Sequence, residues 1–216
     1  MSFYHELDNL NLEDLINRFR MTFNEARKHG SYSEEEEELY YAEVARMIRL
    51  QGEGGIKFLK SEVCNEDTVR LRAVLSALVW PKLDDPSLPK LFLSYLTDQR
   101  PMIVAEAVDG LSGQEVTEAI DRVLQLLNHN SPYVRSSILR YIRRLYPDKS
   151  FPFLVTALKD PHHIVRDNAI DELDYLGNQE AIPYLSPLLN DPHPDVRQAA
   201  RTVIENLKDI KTSGAG

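Results

Sequence analysis

The chain contains 216 residues, enough for one domain with a sizeable core or for a short repeat array, but cramped for two enzymatic domains. Its formal net charge of −9 means that the average surface repels phosphate backbones and anionic membranes and favours basic partners. The single cysteine, Cys64, excludes an intramolecular disulfide framework and a zinc site built on paired thiolates.

The first residues lack the basic flank and the continuous apolar run of a signal peptide. No later stretch approaches the roughly 18 uncharged apolar residues of a membrane helix. Together with the lone cysteine, these features predict a protein without a membrane segment, located in the reducing cytoplasm.

Residues 1–53 predict a helical cap made of two helices, at 12–29 and 33–50. Ser33 and Glu36 have the spacing of a capping box at the start of the second helix. Residues 54–84 predict a divergent helix pair, with helices near 54–63 and 67–78. A proline-rich connector follows at 80–89.

A repeat of 31 residues begins after this connector. The segment at 131–142 recurs at 162–173 and at 193–204, and it also matches 100–111. The sequence therefore predicts four copies and then a flexible tail, at 85–115, 116–146, 147–177, 178–208 and 209–216.

Each copy contains two apolar stripes at helical spacing, which predict a first helix A and a second helix B. The core columns of helix B are Ile103, Val134, Val165 and Val196; Ala107, Ile138, Ala169 and Ala200; and Leu111, Ile142, Leu173 and Ile204. Those of helix A are Phe92, Val123, Leu154 and Leu185, followed by Leu96, Leu127, Leu158 and Leu189.

The turn between helix A and helix B carries an aspartate, and an arginine follows it six residues later in the last two copies. These pairs are Asp160 with Arg166 and Asp191 with Arg197. We expect each carboxylate to accept the free amides of the turn and each guanidinium to reach back to the carboxylate of its own turn. Such a pair would fix the angle between helices A and B.

A helix pair with the turn D-P-x-x-x-V-R, and with alanine four residues after the valine, resembles the HEAT repeat, especially its short bacterial form. The resemblance covers 85–208, with two departures: His129 replaces the aspartate in one copy and Val104 replaces the arginine in another. It implies an all-α fold, a right-handed α-α superhelix of about twelve helices, in which helix B lines the concave surface.

The sequence contains no recognisable catalytic constellation, neither a Gly-rich phosphate loop nor a G-x-S-x-G or H-E-x-x-H motif. His162, His163 and His193 occupy equivalent turns, but no cysteine or third ligand joins them. The only His-Glu pair of the kind found in iron-binding HEAT enzymes, His5 and Glu6, lies outside the repeats. We therefore predict no metal, no cofactor and no enzymatic activity.

The candidate binding residues are those of helix B that face away from its apolar stripe. They are Glu106, Asp109, Ser137, Arg140, Tyr141, Arg144, Asn168, Asp171, Glu172, Tyr175, Thr202 and Asn206. Both charges and two tyrosines occur in this row, a composition that suits a protein partner better than a polyanion. A simply solvated face is the alternative.

The leading hypothesis is a non-catalytic adaptor or inhibitor that holds another protein, of basic charge, such as a bacterial immunity protein that neutralises a toxin. The repeats also resemble those of phycobilin lyases, which implies bilin attachment or chaperoning as an alternative. A third alternative is a HEAT-like DNA glycosylase, although the acidic charge and a Trp80 expected to pack in a loop make nucleic acid a poor partner. The sequence leaves the oligomeric state open.

Overall fold

The computed structural model of the chain describes residues 4–30, 32–80 and 82–213, with side chains as far as residue 209. These residues form 13 α-helices with short 3-10 segments and no strand, which confirms the predicted all-α fold. The chain divides into two compact units, Met1–Gln114 and Glu115–Gly216.

Seven helices form the first unit. They are α1 (Leu12–Arg20), α2 (Phe23–Ala26), α3 (Glu37–Leu50), α4 (Glu53–Ser61), α5 (Thr68–Val79), α6 (Ser87–Tyr95) and α7 (Pro101–Gly113). Helices α3, α5 and α7 pack side by side as one layer, and α1, α4 and α6 pack against that layer. The predicted capping box is present, because the Ser33 amide donates to Glu36 Oε2 at 2.6 Å.

The first predicted helix, at 12–29, is broken in two. Met21 is extended, with φ −61° and ψ 151°, and the helix restarts after Thr22. Thr22 and Glu25 form a capping box, in which each side chain accepts the amide of the other residue. A capping box begins a helix rather than continuing one, so the prediction of a single helix is wrong.

Arg70 connects the leading helices to α5 in the first unit. Its Nε donates to the carbonyl of Phe19 at 2.9 Å, and its Nη2 donates to the carbonyl of Met21 and to the Tyr41 hydroxyl at 2.6 and 2.8 Å. The same guanidinium lies 4.5 Å from the Tyr41 ring centre. One side chain therefore satisfies the helix end that is exposed where α1 stops.

Six helices form the second unit. They are α8 (Ile120–Leu124), α9 (Pro132–Leu145), α10 (Pro147–Ala157), α11 (His163–Leu176), α12 (Ile182–Leu185) and α13 (Pro194–Ser213). Helices α9, α11 and α13 are the helix-B elements, and α11 packs between the other two. Helix α13 continues to Ser213, so a tail does not begin at 209, and residues 214–216 lie outside the described part of the chain.

The predicted core columns are buried with two exceptions, both in the last column of helix A. Leu127 is only partly buried, and Leu189 is 37% exposed. The last helix A ends as a 3-10 segment, Ser186–Asn190, which has about three residues per turn. The tighter winding turns Leu188 toward the core in place of Leu189, so the prediction of a buried Leu189 is wrong.

Two arginine–aspartate ion pairs link neighbouring repeats in the second unit. Arg135 binds both carboxylate oxygens of Asp160 at 2.8 Å, and Arg166 binds both oxygens of Asp191 at 2.8 and 2.7 Å. The two residues of each pair are 25 positions apart, so each pair joins one repeat to the next. We call each of these inter-repeat pairs a rung.

The predicted pairing of Arg166 with the carboxylate of Asp160 in its own turn is wrong. Arg166 Nη1 donates to the backbone carbonyls of Asp160 and Pro161, at 2.9 and 3.2 Å. Arg197 makes the equivalent contact with the carbonyl of Asp191 at 2.8 Å. Each arginine thus holds the backbone of its own turn, while the aspartate carboxylate faces the arginine of the preceding repeat.

Both rung carboxylates also accept turn amides, as predicted. Asp160 accepts the amide of His162 at 2.8 Å, and Asp191 accepts that of His193 at 2.9 Å. Burial raises the pKa of Asp191, but the hydrogen bonds from Arg166 and from the His193 amide outweigh it and hold that pKa below its ordinary value. The Asp191 carboxylate is therefore ionised, and hydrogen bonds from protein groups stabilise its negative charge.

Candidate functional site

The predicted partner-binding residues differ widely in exposure. In the second unit the exposed ones are Arg144, Asp171, Tyr175, Thr202 and Asn206. Those of intermediate exposure are Arg140 and Asn168 in the second unit, and Glu106 and Asp109 on α7 in the first. The buried ones are Ser137, Tyr141 and Glu172.

For the three buried residues the prediction of a solvent-facing side chain is wrong. The Tyr141 hydroxyl donates to the carbonyl of Val116 at 2.5 Å, and burial raises the pKa of Tyr141. Ser137 is fully covered, and Glu172 is held by Arg143 at 2.5 Å. A helix B with a neighbour on its flank buries more than its central stripe, and a single-stripe pattern does not predict this.

Polar contacts tie the three helix-B elements of the second unit together. Arg140 donates to Asn168 on α11 and to Ser137 on its own helix, both at 2.8 Å. The Asn206 amide on α13 donates to both carboxylate oxygens of Asp174 on α11, at 3.3 and 3.2 Å. The face is thus braced across α9, α11 and α13 before any partner is present.

Helix α11 carries a concentration of carboxylates along this face. The pKa of Asp171 is raised to about 6, chiefly by partial desolvation and then by the negative charges of Asp167, Glu172 and Asp174. Burial raises the pKa of Asp167 as well, and the charge of Asp195 adds to the effect. An incoming cation would relieve this repulsion.

Tyr175 stands beside these carboxylates with 74% of its surface exposed. The Arg143 guanidinium lies 5.1 Å from its ring centre while its Nε binds Glu172 at 2.5 Å. A tyrosine ring supported in this way loses little conformational freedom on binding, a property of interface hot spots. We call Asp167, Asp171, Asp174 and Tyr175 the acidic patch.

The three turn histidines form a stack. The ring centres of His163 and His193 are 3.8 Å apart and those of His162 and His163 are 4.8 Å apart. Desolvation lowers the pKa of His163, and the charges of His193 and His162 lower it further. Among the side chains described, no group of three or more His, Cys, Asp or Glu residues is arranged to hold a metal ion.

Two exposed apolar residues of the first unit were not among the predicted site residues. Leu39 is 65% exposed, and Trp80, which was expected to pack in its loop, is 55% exposed. Leu39 directly precedes the buried Tyr40 and Tyr41, so its position outside the apolar stripe of α3 was the available signal.

Within the described part of the chain, no helix combines the length and the hydropathy that crossing a membrane requires.

Comparison with known proteins supports the repeat assignment. Residues 120–207 match the family model of HEAT repeats, so this segment consists of HEAT repeats. No curated protein sequence is significantly similar to the chain.

Several solved structures share the fold at low sequence identity. The YibA protein of Escherichia coli is 17% identical, with 97% of this chain and 77% of that chain covered and a TM-score of 0.67. An engineered protein is 16% identical, with coverages of 93% and 98% and a TM-score of 0.56. The complex of CpcE and CpcF of phycocyanin lyase from Nostoc sp. is 17% identical, with coverages of 91% and 82% and a TM-score of 0.51.

Proposed function

We propose that this chain is a non-catalytic HEAT-repeat adaptor or inhibitor of the cytoplasm that holds a basic protein partner on the helix-B face of its second unit. A bacterial immunity-type protein that neutralises a basic toxin is one form of this role. The observation that carries the proposal is the acidic patch, where mutually repelling carboxylates share helix α11 with an exposed tyrosine.

Charge and rigidity both support this proposal. The carboxylates of Asp167, Asp171 and Asp174 attract lysine and arginine side chains, and the chain as a whole has a net charge of −9. The contacts of Arg140 with Asn168 and of Asn206 with Asp174 preorganise the face, so less ordering cost opposes association. Exposed Arg144, Thr202 and Asn206 supply the polar rim of such an interface.

The test is affinity capture from lysate of the source cells with the wild-type chain and an Asp171→Lys, Tyr175→Ala variant. We expect the wild type to retain a discrete set of basic proteins and the variant to lose them. With a partner identified, the variant should weaken binding by about 2 kcal/mol or more, as removal of a hot spot does.

A charge-matched control is Glu180→Lys, which reverses one exposed carboxylate in the 3-10 segment Gln179–Ala181. This variant should retain the same proteins as the wild type. If the double variant also retains the same set, the acidic patch is not the binding surface.

A second candidate function, bilin attachment or chaperoning, is favoured by the similarity of the fold to the phycocyanin lyase complex. At 17% identity this similarity shows the fold alone. Mixing the purified chain with a free bilin distinguishes the two functions. A shift of the pigment absorption would favour the lyase-like role, and an unchanged spectrum would remove it.

A further inference from the structure

A groove runs between α3 and α5 in the first unit. Its volume is about 540 Å³, and its lining is formed chiefly by Tyr4, Leu39, Ala42, Ser76, Ala77 and Trp80. The side chains facing each other across the two helices are small at Ala42, Ser76 and Ala77, so the helix surfaces leave open space. The larger residues Leu39 and Trp80 form the walls.

A smaller cavity of about 150 Å³ continues this groove. It shares Leu39, Ala42 and Ser76 with the larger cavity and extends to Val69 on α5 and Glu106 on α7. The continuous depression therefore crosses the layer formed by α3, α5 and α7. We call it the α3–α5 groove.

The dimensions of the α3–α5 groove suit several apolar side chains projecting from one partner element. Small-molecule pockets span about 300–1,000 Å³, so 540 Å³ holds more than one leucine-sized side chain. Two packed helices present a channel into which a third helix inserts residues at i, i+3 or i+4, and i+7. Leu39 and Trp80 on the walls are the surface that such an insertion would remove from water.

The charged residues around the groove determine which sign of charge a partner should carry. Four carboxylates line it, from Glu36, Glu38, Glu43 and Glu106, against two guanidiniums, from Arg46 and Arg72. Each guanidinium is already paired within the groove, Arg46 with Glu43 and Arg72 with Glu38, both at 2.7 Å. The balance is therefore negative.

The acidic run at the start of α3 reinforces this field. Glu34 and Glu35 lie with the lining residue Glu36 in the 3-10 segment that leads into α3, and Glu37 lies with the lining residue Glu38 in the first turn of α3. One reason for this acidic run is the positive end of the helix dipole, which attracts carboxylates. The same carboxylates also place negative potential at one end of an apolar groove, a combination that favours a basic amphipathic ligand.

We infer that the α3–α5 groove binds an amphipathic helix of a partner protein, with leucine or phenylalanine anchors in the groove and lysine or arginine residues against its rim. The inference rests on the proposed protein-binding function and assigns a second contact surface, in the first unit, to it. The apolar anchors provide the contact area, and the basic residues provide orientation and selectivity against acidic helices.

The experiment uses a synthetic helical peptide of about 14 residues with leucine and phenylalanine at i, i+4, i+7 and i+11 and lysine elsewhere. A second peptide carries glutamate in place of every lysine. Trp80 is the only tryptophan of the chain and lies on the groove wall, so its fluorescence reports occupancy of this groove directly. Anisotropy of a labelled peptide measures the dissociation constant.

We expect the lysine peptide to shift Trp80 emission to shorter wavelength and the glutamate peptide to bind at least tenfold more weakly. Leu39→Ser and Ala42→Arg should each weaken the lysine peptide at least tenfold. Leu50→Ser, a change at a 58% exposed leucine of the same helix outside the groove, should stay within about twofold of wild type. Circular dichroism confirms that each variant remains helical.

No emission shift with the lysine peptide, or an equal response to both peptides, overturns the inference. An effect of Leu50→Ser as large as that of Leu39→Ser overturns it as well. The Asp171→Lys, Tyr175→Ala variant should bind the peptide normally. If the lysine peptide binds but the Asp171→Lys, Tyr175→Ala variant captures the same proteins as the wild type, the groove inference stands and the acidic patch is rejected. If the peptide does not bind but the variant loses the captured proteins, the acidic patch stands and the groove inference is rejected.

Discussion

The two units connect their neighbouring helix pairs by different means. In the second unit the same rung occurs twice, as Arg135 with Asp160 and Arg166 with Asp191. In the first unit Arg70 instead reaches the carbonyl of Phe19, and Arg100 reaches that of Glu66 at 3.1 Å. A constant 31-residue spacing allows the same ion pair to form between successive repeats. Helix pairs of unequal length place their side chains differently, so each junction between them has its own contact.

The first prediction compares a rung with its irregular counterpart. Arg166→Met leaves the buried Asp191 carboxylate without its ion-pair partner, which should lower the free energy of unfolding by about 3–5 kcal/mol. Arg100→Met removes a more exposed contact, chiefly with Asp98, and should cost about 1 kcal/mol or less. Urea denaturation of both variants measures the difference.

Adding Asp191→Asn to Arg166→Met should recover more than half of the loss. The asparagine is neutral and can still accept the amide of His193, which Asp191 accepts at 2.9 Å. Equal losses of unfolding free energy for Arg166→Met and Arg100→Met would mean that the rung does not stabilise the second unit more than the Arg100 contact stabilises the first.

The second prediction compares one repeat position in the two units. Leu96 in the first unit is 6% exposed, whereas its counterpart Leu189 in the second unit lies on a 3-10 segment and is partly in water. Leu96→Ala should cost about 2–4 kcal/mol of unfolding free energy, and Leu189→Ala less than about 1 kcal/mol. Thermal or urea unfolding checks both values, and a large effect at Leu189 would contradict the shifted register.

The third prediction concerns the close approach of α4 to α3 in the first unit. A Cβ added at Gly55 would lie 1.8 Å from the carbonyl oxygen of Ile48, a backbone atom that cannot move cheaply. Gly55→Ala should therefore cost about 1–3 kcal/mol of stability.

Gly54→Ala is the matched control for this change. Its Cβ meets only the tip of the flexible Leu12 side chain, at 2.9 Å, and alanine favours a helix by about 0.5–1 kcal/mol over glycine. This variant should be neutral or slightly stabilising in the same unfolding assay. A similar loss for both variants would show that helix packing does not depend on the absent side chain at Gly55.

The smallest expected effect is electrostatic and belongs to the second unit. The pKa of Asp171 is raised in the folded state to about 6, so the folded chain binds a proton more readily than the unfolded chain. The stability that the folded chain gains from protonation of Asp171 is complete below about pH 4, and it is lost as the pH rises through 6. Asp171→Asn should raise the melting temperature slightly at pH 7.5 and leave it unchanged at pH 4, as scanning calorimetry would show.

The regular part of the fold could be predicted from the sequence because its core repeats at a fixed interval. Residues such as Val134, Ala169 and Ile204 are buried where their columns place them. The pairing of Arg166 with Asp191 could not be predicted in the same way, because it depends on the offset between adjacent repeats. A pattern within one copy shows only the nearer Asp160.

The candidate site was predictable in part. Tyr175 and Asp171 are exposed as their helix positions indicate, but Tyr141 is covered by residues near Val116, a contact that one helix cannot reveal. The α3–α5 groove was missed because α3 belongs to the leading helices that keep no repeat register. Without columns, the available signal at Leu39 was its position outside the apolar stripe of α3.

The rungs also bear on how such a chain can change in length over evolution. In both rungs one copy contributes the arginine and the following copy contributes the aspartate, 25 positions further along the chain. Duplication or deletion of a whole 31-residue module would preserve this head-to-tail matching, whereas an insertion between Arg166 and Asp191 would separate the partners. Recombination should therefore tolerate changes in module number far better than changes in module length.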